Sequence, residues 1–188
     1  MPTIESRTFE KIHFQTANLD VGNYENCTFI QCDFSEAELK GFNFYSCSFT
    51  GSNLSLAKFS NNTLHEVVFK DCKLLGIHFE YCNELMFEIV FEKSQLNLSS
   101  FYRMKARRLK FSYCMIHEVD FSQADLNGVI FHNCDLTGSV FRDTQLEKTD
   151  FRTAFNYQID PESNHIRKAR FSKEGIEGLL YKYDLDIE

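Results

Sequence analysis

Seven cysteines, six histidines and 27 acidic residues are the groups in this 188-residue chain best able to do chemistry. Thiols with imidazoles suggest redox or metal work, and paired carboxylates suggest acid–base catalysis. The spacings point elsewhere. There is no Cys-x-x-Cys pair and no Cys/His ligand spacing, and an odd number of thiols makes no closed disulfide framework. His13, His65, His78, His117, His132 and His165 stand in no nucleophile or metal motif. A glycine-rich phosphate loop, a nucleophile elbow and HExxH are missing too. The expectation is no catalytic residue, no metal, no cofactor and no enzyme. One cluster remains. The run "RMKARRLK" sets Arg103, Lys105, Arg107, Arg108 and Lys110 within eight residues. It reads either as solvated surface or as a contact patch for a partner.

What positions these groups is a repeat. Large apolar residues recur every five from Ile4, Phe9, Phe14, Leu19 and Tyr24 to Phe79, and again from Phe91 to Phe151. A helix repeats its face every 3.6 residues and a strand every 2, so a sustained five suits neither. With Phe171 in the same frame, seventeen of the 20 Phe lie at these centres, which puts chance aside. Two residues before each centre runs a second register of small residues, among them Cys27, Cys32, Ala37, Cys47, Ser52, Cys72, Cys114, Ala124 and Cys134. Residues i and i−2 of an extended segment point the same way, so both registers face inward. The cysteines are therefore read as small buried filler, and the six histidines fall in outward registers. Between the two registers stands Asn or Asp at Asn18, Asp33, Asn43, Asn53, Asp120, Asp125, Asp135 and Asp150. Such side chains fold back on backbone groups and favour turns.

From Phe91 to Phe151 the centres alternate Phe with an aliphatic residue or Ala. A core period of ten needs an even number of sides. Four sides give a 20-residue coil, with Phe on one opposed pair of faces. Written small-Asp/Asn-Leu/Phe-x-x, units such as "ADLNG", "CDLTG" and "GFNFY" resemble the pentapeptide-repeat family over roughly residues 2 to 171.

That resemblance implies an all-β, right-handed quadrilateral β-helix with a short C-terminal helical cap, a rod of roughly 40 Å at the ~4.8 Å spacing of neighbouring strands. The helix takes residues 1–172, with a frame slip near 82–90 where Glu84 stands at an inward centre and marks a bulge or bend between two half-rods. The core stack is Phe91, Phe111, Phe131, Phe151 and Phe171. Residues 173–188 form the cap, with Ile176, Leu179, Leu180 and Tyr183 at helical spacing and Leu185 and Ile187 alternating like a strand. Family members that join end to end imply a homodimer through this C-terminus. The chain resembles the quinolone-resistance members of the family and looks closer to those without projecting loops. This implies a non-enzymatic binder of DNA gyrase or topoisomerase IV, with a scaffold for an unrelated protein partner as the alternative.

Charge qualifies the first option. The chain is net −7, but the excess is uneven: residues 7–86 hold 6 basic and 10 acidic side chains, residues 89–173 hold 13 and 10. The basic excess of the second part falls on the faces centred on Phe91/Phe111/Phe131 and on Ala106/Leu126/Leu146. No continuous acidic stripe results, and no direct nucleic-acid contact is expected. No apolar stretch is long enough to span a bilayer, and free thiols suit a reducing, cytoplasmic setting.

Overall fold

Each five-residue unit lays down a short extended piece and then a corner, and every fourth corner returns the chain to the same side. The computed structural model describes residues 1–17 and 19–186. The turn expected at Asn18 and the alternation expected at Ile187 lie outside the described residues. Among those described, eleven strands form two parallel sheets. One side carries β1 (Thr3–Glu5), β3 (Asn23–Glu25), β5 (Asn43–Tyr45) and β7 (Leu64–His65). The next carries β2 (Thr8–Glu10), β4 (Thr28–Ile30), β6 (Ser48–Thr50), β8 (Val67–Lys70), β9 (Ile89–Glu92), β10 (Lys110–Ser112) and β11 (Ile130–His132). Pairing is in register at a distance of 20 residues, Phe9 with Phe29 and Phe29 with Phe49. The other two sides are joined by single bridges, such as Asp33 to Asn53 and Ser100 to Asp120.

The interior is aromatic. On the seven-stranded side the rings of Phe9, Phe29, Phe49, Phe69, Phe91, Phe111, Phe131, Phe151 and Phe171 stack in one ladder, with steps of 4.5 to 5.6 Å. Eight such steps make a core about 40 Å long, as strand spacing requires. Phe79, Phe101, Phe121 and Phe141 stack on the opposite side and meet the first ladder edge-on, for example Phe101 to Phe111 at 6.2 Å and 88°. Stacking within a ladder and edge contact between ladders are both favoured by the ring quadrupole. Leu, Ile and Ala fill the two remaining sides in the second half of the rod, whereas in the first half Phe14, Phe34, Tyr24 and Phe44 also stand there.

The frame slip is absorbed at corners. Short 3₁₀ turns at Phe79–Tyr81 and Glu84–Met86 take up the two extra residues, and Phe87 turns inward. The four-stranded side ends at β7, because its next position is the second of these turns. The seven-stranded side runs through: β8 pairs β9 in register, and Phe69 stacks on Phe91 at 5.6 Å and 13°. On that side the ladder continues without a break.

At the C-terminal end a four-residue helix, α1 (Glu177–Leu180), lies against Tyr157, and a 3₁₀ turn at Tyr181–Tyr183 follows it. A Cβ added at Gly175 would collide with the Tyr157 hydroxyl, and one at Gly178 with its carbonyl. The glycine in α1 and the one just before it are thus a packing requirement. Ile159 N–H donates to the Gly178 carbonyl at 2.9 Å, and Lys182 Nζ donates to Asp160 and Glu162 at 2.8 and 2.7 Å. Asp184 ends the segment in a left-handed conformation, and Leu185 after it is in no strand.

Candidate interaction surface

Corners carry the outward groups, and their geometry is uniform. The second residue after most centres has positive φ, whether it is glycine (Gly51, Gly128, Gly138) or not (Gln31, Arg103, Glu118, Lys148). Left-handed backbone costs a residue with a Cβ about 1–2 kcal/mol, so the stacked coils impose it. The Asp or Asn before the centre helps. Its Oδ1 accepts the N–H two residues on, from Asp33 to Ser35 at 3.0 Å, Asp120 to Ser122 at 2.8 Å and Asp135 to Thr137 at 3.2 Å. Asn43 departs from this, accepting instead from Thr63 N–H in the next coil.

The second inward register is more than filler. Thiols of Cys47, Cys72 and Cys114 donate to the carbonyls of Tyr24, Phe49 and Phe91 at 3.3 to 3.4 Å. Ser99 and Thr144 do the same to Leu74 and Phe121. Ser52, Ser94 and Asn164 in turn accept N–H groups from Cys32, Cys72 and Thr144. Small donors at these places satisfy backbone groups that turn away from the ladders. The signal was the choice of Cys, Ser and Thr where Ala would meet the volume alone. Burial drives the Cys47 and Cys72 thiols up to about 11, which keeps them neutral. All seven cysteines are free and buried.

The basic run covers one side, the corners at its two ends and the edge of the next side, with Arg103, Lys105, Arg107, Arg108 and Lys110 all exposed. Within it, Met104 and Ala106 are fully buried, the large and small registers exchanged. Carboxylates offset part of the charge: Arg107 Nε donates to Asp125 at 2.7 Å, and Arg108 lies 3.4 Å from Glu88. Arg103 donates to Gln123 at 2.7 Å and lies over the Tyr102 ring. Among the described residues no carboxylate pairs with Lys105 or Lys110, nor with Lys148, Arg167 or Lys168 further along the same side. Of the cap residues, Leu179 packs on the core and Leu180 is half-buried, while Ile176 and Tyr183 are exposed. His78 and His117 each pair with a carboxylate, Glu80 and Asp135, at 2.9 Å. Among the described residues no group of three His, Cys, Asp or Glu is placed to hold a metal.

The pentapeptide repeat region model matches residues 22–84 and 77–151. The chain belongs to the pentapeptide-repeat family. Its fold, the right-handed quadrilateral β-helix, is that of a trypsin-treated form of QnrB1, a plasmid-mediated fluoroquinolone resistance protein, at a TM-score of 0.58 and 18% identity over the whole of both chains. Full-length QnrB1 gives 0.57 and 15%, with 98% of this chain and all of that one covered. HetL, a pentapeptide repeat protein involved in heterocyst differentiation regulation in the cyanobacterium Nostoc, gives 0.56 and 14%, covering 90% and 86%. No relative is found among curated proteins. At these identities the likeness to solved structures speaks for the pentapeptide-repeat fold alone.

Proposed function

We propose that this pentapeptide-repeat protein is a non-enzymatic, protein-binding rod that acts in the cytosol. One observation carries the reading: stacked rings fill the tube from Phe9 to Phe171, so the groups available to a partner are the outward ones. No helix among the described residues is long and apolar enough to cross a membrane. For the partner we propose DNA gyrase or topoisomerase IV, with protection from quinolones, supported by the fold shared with QnrB1. Arg103, Lys105, Arg107, Arg108 and Lys110 are the proposed contact patch. A homodimer through the cap is supported by exposed Ile176, Tyr181 and Tyr183 at one end of the rod. A supercoiling assay with and without ciprofloxacin tests the target. Absence of both inhibition and protection at micromolar protein would remove topoisomerases from the reading. Reversal of Arg103, Arg107 and Arg108 to Glu tests the patch, and unchanged partner binding makes it solvated surface.

A second reading, a scaffold for an unrelated protein, is favoured by the unpaired lysines of the basic side. A rod imitating DNA would present acid there, and an acidic partner fits better.

A further inference from the structure

Leucine is an unfavourable residue for two corners of this rod. Leu56 and Leu98 hold φ of +59° and +62° and are 54% and 59% exposed. Among the described non-glycine residues with positive φ they are the only aliphatic ones; the others are polar or charged apart from Tyr113. Left-handed backbone and water both act against such a choice.

The two leucines share one corner. Leu56 N–H donates to the carbonyl of Leu75, and Gly76 N–H to that of Asn97, so Leu56, Gly76 and Leu98 stand in consecutive coils. A Cβ on Gly76 would approach Leu56 Cδ2 to 2.8 Å, so Leu56 leans over the glycine and the pair borders a notch. The notch belongs to a cavity of about 610 Å³ lined by Leu56, Ala57, Phe59, His78 and Tyr81, the last 62% exposed. The column ends in carboxylates. Glu36 N–H donates to Ser55 beside Leu56, and Leu98 N–H to His117 beside Glu118. Among the described residues neither Glu36 nor Glu118 is in an ion pair, while the nearby Glu38 is held by Lys58 at 2.6 Å. Along the rod the order is Glu36, Leu56, Gly76, Leu98, Glu118, a span of roughly 19 Å at ~4.8 Å per coil.

We propose that this column docks a segment of another protein, with two aliphatic anchors on the leucines and the notch and a Lys or Arg at each end opposite Glu36 and Glu118. Acid, apolar, acid along the rod is complementary to basic, apolar, basic along the partner. The leucines stand about 10 Å apart, and in a polyproline-II segment residues three apart share one face at about 9 Å. The site deepens the reading above and rests on it only in taking a protein as ligand. It lies on another corner from the basic run, so the topoisomerase assay can fail while this site stands.

The probe is the synthetic peptide Lys-Arg-Leu-Ala-Ala-Leu-Arg-Lys, compared with a twin carrying Glu at its four basic positions, by ¹⁵N shift mapping on the full chain. We expect saturable shifts confined to this column, weakened about tenfold or more in the twin and in the L56N/L98N variant. That variant should unfold at the same or higher urea concentration, since Asn tolerates left-handed backbone. The proposal is overturned by absent saturation, by equal binding of the twin, by shifts centred on Lys105 and Lys110, or by a variant of lowered stability, which would make the leucines structural.

Discussion

Exchanging the buried residues of one coil tests whether the two inward registers share a common volume. At Met104 and Ala106 the usual order of small and then large is reversed, and both side chains are completely buried. The next coil restores the order with Ala124 and Leu126, also completely buried, and the two coils are joined by Asp125 N–H to Met104 O at 2.8 Å and Ala106 N–H to Asp125 O at 2.9 Å. Met104→Ala removes three heavy atoms and should cost about 3 kcal/mol, since the ring ladders on either side cannot collapse into the gap. Ala106→Leu adds three heavy atoms to a filled space and should cost about 2 kcal/mol. The double variant keeps the total and should cost about 1.5 kcal/mol or less. The singles sum to about 5 kcal/mol, so the cycle should show a favourable coupling of about 3 kcal/mol or more. Urea unfolding followed by far-ultraviolet circular dichroism reads all four proteins, provided the slopes agree, because a stacked array can lose cooperativity. Additivity within about 0.5 kcal/mol would refute the shared volume.

Three further outcomes follow from the same geometry. Gly178→Ala should drive α1 off Tyr157, so that amide exchange quickens over residues 174–186 while Phe111 and Phe131 keep their protection; equal protection throughout would mean the glycine is not needed for packing. Native protein should leave all seven thiols unmodified by iodoacetamide at pH 8 and expose them only in urea, and any thiol modified in the native state marks a coil that opens. Stability should fall as pH rises from about 9 through 11, because burial raises Cys47 and Cys72 to about 11 and Tyr24 to about 12, and the unfolded chain releases these protons first. Below the unfolded values the contribution is complete. Cys47→Ser and Cys72→Ser together should flatten the decline, and an unchanged urea midpoint between pH 8 and 10.5 would contradict it.

Much of the tube was legible from residue order, because in a solenoid each unit meets the environment its neighbour meets. The spacing of Phe91, Phe111 and Phe131 therefore reports their stacking directly, and the alternation with Ala106, Leu126 and Leu146 reports the four sides. The corner role of Asp33 and Asp120 was readable for the same reason, being a hydrogen bond to a residue two places on.

Other features depend on how coils lie over one another. Sequence alone suggested that Cys47 and Cys72 were filler, and stacking makes them hydrogen-bond donors to carbonyls 23 residues earlier. Arg107 and Arg108 read as free charge until the coils above and below brought Asp125 and Glu88 beside them. The slip near Glu84 was visible as a break in rhythm, but its absorption in two 3₁₀ turns, with Phe69 still on Phe91, is a property of the folded chain. That absorption also sets the column of Leu56, Gly76 and Leu98. The last two are 22 residues apart and align only because the turns take up the difference before Leu98 is reached. Local repetition thus determined the tube from sequence alone. Contacts between coils, which depend on where the extra residues are stored, decided what its outer corners present.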